Sequence, residues 1–239
     1  MREVAALDRD QLFQLSRINI FSDLDPDTLR RLDGISPSVT VAKGKVLLRP
    51  FETNVVLYLL KRGRVRLYRL SEDGKVMTLA ILGDGNVFGA TKTVALHGRD
   101  MYAETMENSL VCAMHQPDVE RMLREHPAVA FRLMQVLSAR VTDLEEQVAS
   151  LAHEDVRRRL LHLLASLAQQ FGVADGELVR LNLPLTHADL ASMVGSTRET
   201  VTTTMSALAR DGLVRTERRH VSVHPLRISA ALAAAPPAS

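Results

Sequence analysis

Midway along the chain, Ala130, Met134, Leu137, Val141, Leu144, Val148 and Leu151 recur at alternating spacings of four and three, with charged and polar residues between them. At 3.6 residues per turn such positions fall on one narrow stripe, so the spacing predicts a single helix with an apolar seam on the order of 30 Å long. A seam of that length needs a covering surface. Its first half, where Phe131 and Leu133 are also apolar, can pack on the chain's own preceding residues. For the rest, the expected cover is the same seam of a second copy, with Met134, Leu137, Val141, Leu144, Val148 and Leu151 as the dimerisation residues.

The helix divides the chain into unlike parts. From Val39 to Met114 short β-type runs (Val46–Leu48, Val55–Leu60, Val65–Leu70, Val76–Leu82, Leu110–Met114) are punctuated by Gly44, Gly63, Gly74, Gly83 and Gly85. Regular short strands of this kind predict a small antiparallel barrel or jelly roll, and Glu72-Asp73-Gly74-Lys75 predicts a hairpin turn. Short helices are expected over Asp8–Ser16 and Asp25–Leu32, the second with Pro26 near its start. Helical periodicity returns after His115 and Pro117 and runs to about Phe171, with a break near His153–Asp155. The expected organisation is α+β: helices and barrel over 1–126, a dimerisation helix over 127–152, and a further domain over 153–239.

That further domain carries the sharpest local pattern. Thr186 is a good N-cap, and Leu190, Ala191 and Val194 form an apolar stripe that ends at Gly195, where a left-handed backbone is cheap. Ser196 or Thr197 caps a second helix whose inner side is Val201, Met205 and Leu208, leaving Arg198, Glu199, Thr202 and Thr203 on the outer side. Leu213–Thr216 and His220–His224 read as two strands around a polar tip. Helix, turn, helix and hairpin in this order make a winged helix-turn-helix, which reads double-stranded DNA. Arginine donates bidentately to guanine and glutamate accepts from cytosine, so Arg198 and Glu199 suit G·C steps. Thr202 and Thr203 suit a thymine methyl or a phosphate. Arg215, Arg218 and Arg219 on the wing are expected against phosphates. Thr186, Ser196 and Thr197 complete the expected DNA-binding set.

Composition agrees with a reader that relies on placed contacts. The net charge is only +2, and the 87 residues from His153 onward carry ten Arg, no Lys and eight Asp plus Glu, a surplus of two. A single cysteine, Cys112, excludes an intrachain disulfide framework, and no cysteine cluster suits zinc or iron and sulfur. No nucleophile and base pairing, metal spacing or phosphate loop points to an enzyme. No secretory segment or long apolar run is evident, so a soluble cytoplasmic protein without membrane association is expected.

Barrel, seam helix and winged helix-turn-helix, with Lys43-Gly44, Tyr58, Gly63, Asp73-Gly74, Gly83-Asp84, Phe88-Gly89 and Gly195-Ser196-Thr197-Arg198-Glu199-Thr200-Val201, resemble the CRP/FNR family of bacterial transcription regulators. The resemblance covers nearly the whole chain. It implies a homodimer on a pseudo-palindromic promoter site, more often an activator, that contacts RNA polymerase, with a cyclic-nucleotide-binding-like barrel as sensor. In the family's cyclic-AMP receptor the residues matching Arg198 and Glu199 contact bases. A second base-reading arginine matches Thr203, and Thr204 stands where an aliphatic residue is usual.

The same resemblance marks where the nucleotide site has degenerated. Cyclic-AMP binders carry a Phe-Gly-Glu stretch and an Arg-Ser pair, because the glutamate holds a ribose hydroxyl and the arginine pairs with the phosphate. Here Phe88-Gly89-Ala90 lacks the glutamate, and Asp100 and Met101 stand where the arginine and serine align, with Arg99 one residue earlier. The base-contacting Thr-Ser pair is replaced by Leu144-Glu145, and Arg140 is retained. No cofactor is expected, and cyclic AMP and haem are disfavoured, the haem ligands aligning with Gly89 and Thr91. The alternatives are a regulator gated by another small ligand or by haem through a lone histidine such as His97, His115 or His126, and a ligand-binding or protein-interaction module without specific DNA binding.

Overall fold

In a computed structural model the fold is described for residues 17–22, 24–35, 37–52, 56–98, 100–217 and 220–234. The helix expected over Asp8–Ser16 lies outside them, as do Arg99, Arg218 and Arg219. α1 (Pro26–Ile35) starts where Pro26 predicts, with the Asp25 carboxylate accepting from the Asp27 and Thr28 N–H groups at 3.0 Å each.

Eight strands follow: β1 (Ser38–Val41), β2 (Val46–Leu48), β3 (Val56–Arg62), β4 (Val65–Leu70), β5 (Val76–Leu82), β6 (Val87–Ala90), β7 (Tyr102–Thr105) and β8 (Ser109–His115). They form two four-stranded antiparallel sheets, ordered β1-β8-β3-β6 and β2-β7-β4-β5. The expected hairpin turn joins β4 to β5, where Ser71 N–H donates to the Lys75 carbonyl at 2.9 Å. β3 shows why this segment reads as an unbroken apolar run. Successive side chains point to opposite faces, and both faces are covered. Leu57 and Leu59 join a core with Ile18, Phe21, Leu29 and Met122, while Tyr58 stacks on Phe88 at 5.2 Å and donates its hydroxyl to the Leu47 carbonyl of the other sheet. Burial, with Glu52 nearby, pushes the Tyr58 phenol up. β1, β6 and β7 are not among the expected strands. Each has four residues, too few to display alternation, and exists because a longer neighbour pairs with it.

Helix α2 (Gln116–Glu125) packs Val119 and Met122 into the same core. α3 (Pro127–His153) is the predicted long helix, continuous over 27 residues. Val129 and Leu133 are buried, and Val136 and Leu137 pack partly onto the core. Met134, Val141, Leu144, Val148 and Leu151 are 46–66% exposed. Thus the helix has two apolar faces. One is covered by its own chain, and the outer seam is uncovered.

The described residues fall into two compact units, one ending at Asp143 and one beginning at Leu144, with Met77–Leu79 assigned to the second. In the second, Asp155 caps α4 (Val156–Phe171) by accepting from the Arg158 N–H, and Leu160, Leu161, Leu164, Leu167 and Phe171 form its buried side. A hairpin of β9 (Gly172–Asp175) and β10 (Leu178–Leu181) follows, then α5 (His187–Met193), α6 (Arg198–Arg210), the wing strands β11 (Val214–Glu217) and β12 (His220–Val223), and α7 (Pro225–Ala233). β10 pairs with β12, so the unexpected hairpin extends the wing into a sheet ordered β11-β12-β10-β9. The architecture is α+β, with an antiparallel barrel, a long helix and a winged helix-turn-helix. No helix among the described residues is long and apolar enough to cross a membrane.

Candidate nucleic-acid interface and effector pocket

α5 and α6 are set against each other by local chemistry that a sequence displays. Thr186 and Asp189 form a reciprocal capping box: the Thr186 hydroxyl accepts from the Asp189 N–H at 3.1 Å, and the Asp189 carboxylate accepts from the Thr186 N–H at 2.9 Å. Gly195 has φ +61°, and the Ser196 N–H reaches back to the Ala191 carbonyl at 2.9 Å, closing the turn. Of the two candidate caps of α6, Thr197 is used, accepting from the Thr200 N–H at 3.1 Å, while Ser196 is half-buried in the turn. Val201, Met205 and Leu208 anchor α6 in the core at 0–2% exposure. Arg198, Glu199, Thr202 and Thr203 are all exposed, and no described residue pairs with the Arg198 guanidinium or the Glu199 carboxylate.

A second layer of contacts was not visible in the sequence pattern. Arg157, Arg158 and Arg159 stand in the first turn of α4, where the helix dipole opposes cations, so each needs an acceptor. Arg157 pairs with Asp211, just past the end of α6, at 2.7 Å. Arg158 pairs with Glu154 at 3.0 Å and donates to the Leu232 and Ala234 carbonyls. Arg159 donates to the Val194 carbonyl at 2.9 Å, beside the Gly195 turn, and to the Glu154 carbonyl at 2.6 Å. Arg157 and Arg159 therefore tie α4 to the ends of α6 and α5, and Arg158 ties it to the end of α7. The run of three arginines just after the Asp155 cap is the local signal from which they could have been found. His187, also unforeseen, joins α5 to α6 through Nδ1 and the Thr202 hydroxyl at 2.9 Å. Arg215 is exposed on β11 but is already ion-paired with Glu217, two residues along the same strand face. An exposed pair of this kind is weak and yields readily to a phosphate.

In the barrel, the residues around the degenerate nucleotide motif are accounted for by the chain itself. Gly89 has φ +102°, and a Cβ there would sit 2.4 Å from the Val56 carbonyl oxygen, so the position serves the β3–β6 pairing whatever the barrel holds. Ala90 bridges Ala95, and Thr91 closes the intervening loop through its N–H to the Val94 carbonyl and its hydroxyl to the Val94 N–H. Asp100 is ion-paired with Arg69 at 2.7 Å, and Met101 is buried at 6% exposure. Among the described residues, Ala90 therefore stands where the resemblance puts the ribose-holding glutamate, and Asp100, paired with Arg69, where it puts the phosphate-binding arginine. Leu144 is exposed in the outer seam of α3. Among the described residues no group of three or more His, Cys, Asp or Glu is placed to hold a metal ion.

His97 is the unusual group of this region. Its Nδ1 is buried without a hydrogen-bond partner among the described residues, and burial, aided by Arg140, pushes its pKa from 6.5 down to about 4. The folded protein thus keeps His97 neutral while the unfolded chain takes up a proton below about pH 6.5, so this contribution to stability is full above that pH and is lost as pH falls toward 4. Between pH 7.5 and 5 the loss is expected to be about 2 kcal/mol. Thermal melts of the protein and of His97→Leu over that range check it, the variant showing the smaller dependence on pH.

The family model described as a Crp-like helix-turn-helix domain matches residues 158–227, and the one described as a cyclic nucleotide-binding domain matches residues 38–126. The chain is 31% identical over 193 residues to the global nitrogen regulator of Synechocystis sp., covering 80% of this chain and 86% of that protein. It is 27% identical over 209 residues to the CRP-like cAMP-activated global transcriptional regulator of Mycobacterium tuberculosis, covering 87% and 93%. Among solved structures, a CooA mutant from Carboxydothermus hydrogenoformans shares the fold, with a TM-score of 0.71 at 22% identity over 95% of this chain and 98% of that one.

Proposed function

The chain belongs to the CRP/FNR family of DNA-binding transcription regulators, and from that membership we propose that it binds a pseudo-palindromic promoter site as a homodimer, in the cytoplasm, and activates transcription there through RNA polymerase without needing cyclic AMP. The observation that carries the reading is the first turn of α6, where Arg198 and Glu199, unpaired among the described residues, stand exposed on a helix whose other side is locked into the core. Thr186 and Thr197 act there as caps that also present their N-terminal backbone to phosphates, and Ser196, Thr202, Thr203 and Arg215, together with Arg218 and Arg219 from outside the described residues, complete the proposed contact set. The outer seam of α3 supplies the second subunit, which gives two recognition helices for two half-sites about one helical turn apart. Independence from cyclic AMP rests on Ala90 and on the Asp100–Arg69 pair.

The test is selection from a random duplex library with the full chain, followed by titration at fixed salt with and without cyclic AMP. A palindrome bound by two protomers, with affinity changed less than about twofold by cyclic AMP, is the expected result. Selection of no common sequence overturns the DNA-reading assignment, and stimulation of tenfold or more overturns the independence. The buried Nδ1 of His97, without a partner among the described residues and beside Arg140, favours a second reading, a regulator gated by a different small acidic ligand. Stabilisation of the protein, but not of His97→Leu, by one member of a panel of small dicarboxylic acids selects it.

A further inference from the structure

Every outward hydroxyl in the middle of α6 has its proton committed to the helix itself. Thr202 donates to the Arg198 carbonyl at 2.8 Å, Thr203 to the Glu199 carbonyl at 3.1 Å, Thr204 to the Thr200 carbonyl at 2.8 Å and Ser206 to the Thr202 carbonyl at 3.0 Å. A hydroxyl has one hydrogen, so none of these side chains has a proton left to offer a phosphate, a guanine or the O4 of thymine. What each threonine retains for an outside partner is a methyl group and an acceptor oxygen. At Thr202 one of the two oxygen lone pairs is engaged as well, because with its own proton going to Arg198 the contact with His187 is a donation from Nδ1–H. Thr203 has no such neighbour among the described residues, is exposed, and lies one turn beyond Glu199 on the same side of the helix.

We infer that Thr203 is a specificity-determining residue that reads the C5-methyl of a thymine in the half-site, by apolar contact and without hydrogen bonding, while Thr202 is held in position by His187. This rests on α6 being the recognition helix. It narrows the role of Thr203 from methyl or phosphate to methyl alone, and it separates the position from the arginine that the family's cyclic-AMP receptor carries there. The major groove shows a methyl only at thymine among the unmodified bases, so a methyl-bearing, donor-free side chain discriminates for it.

The test uses the full chain, its library-selected duplex, and duplexes in which each thymine of the half-site is replaced in turn by deoxyuridine, which removes only the methyl. One such replacement is expected to weaken binding about fourfold per half-site, the effect of losing one buried methyl. Thr203→Val, which keeps the methyl and deletes the hydroxyl, is expected to bind within about twofold of the parent and to keep that uridine penalty. Thr203→Ser, which keeps the hydroxyl and deletes the methyl, is expected to bind about fourfold more weakly and to show no penalty at the same uridine. The inference is overturned if Thr203→Val loses tenfold or more, if no uridine matters, or if Thr203→Ser keeps the full uridine penalty. A library selection with no sequence preference overturns instead the assignment of α6 as the reading helix, and the inference with it.

Discussion

Arg198→Ala is expected to weaken binding to the selected palindrome by about 1–3 kcal/mol per half-site while leaving binding to unrelated duplex nearly unchanged. The reasoning is one of geometry and of alternatives. Arg198 opens α6 directly after the Thr197 cap, so its fork is carried at the end of a helix that Val201, Met205 and Leu208 hold rigidly in the core. The guanidinium has no described partner to leave, so its hydrogen bonds to guanine O6 and N7 replace only water. Truncation leaves the guanine acceptors unpaired in a desolvated groove, which is where the cost arises. Since the side chain is exposed, the melting temperature of the variant should stay within a degree or two of the parent. Arg215→Ala provides the contrast. It sits on a wing strand and already shares its charge with Glu217, so it is expected to weaken all sequences alike, by well under 1 kcal/mol, and to reduce the salt slope by about 1. Equal losses on specific and unrelated DNA for Arg198→Ala would remove it from the base-reading set.

Val148→Glu is expected to convert the protein from dimer to monomer at micromolar concentration and to abolish binding to the palindrome without unfolding either unit. Val148 is 66% exposed in the chain by itself, so a glutamate there is solvated in the monomer. In a paired seam two carboxylates would face each other in an apolar strip, and desolvating them costs several kcal/mol per site. The dimer dissociation constant should therefore rise by at least about a hundredfold. DNA binding falls with it, because one recognition helix contacts only one half-site. Leu133→Glu is the informative comparison: Leu133 is buried at 4% against the barrel core, so the same charge there should lower the melting temperature rather than change the assembly. Sedimentation equilibrium and thermal melts separate the two, and a Val148→Glu protein that remains a dimer would rule out the seam as the interface.

Much of the fold was legible because its signals are local. The caps Thr186 and Thr197, the left-handed turn at Gly195 and the inner residues Val201, Met205 and Leu208 each follow from spacing and side-chain chemistry within a dozen residues. The long helix was legible for the same reason, as was the turn between β4 and β5. β1, β6, β7 and the β9–β10 hairpin were not, since they are held by the register of their partners rather than marked by a local run between turn signals. In the candidate site, the exposure of Arg198, Glu199, Thr202 and Thr203 could be read from the helical period. The roles of Arg157, Arg158 and Arg159 could not, because the groups that accept from them include Asp211, Leu232 and Val194, some 35 to 74 positions away.

The sequence alone therefore determined the long helix, the helix-turn-helix and which side of each recognition-domain helix is apolar, because those depend on intervals shorter than one helix. Only the tertiary structure decided how charges and faces are used. It covered Val129 and Leu133 but left Val141 and Val148 open, paired Asp100 with Arg69, and buried the ring nitrogen of His97. The physical reason is common to all of these. Ion pairing and desolvation depend on which side chains meet across the fold, and that meeting is set by packing over long separations rather than by any local repeat.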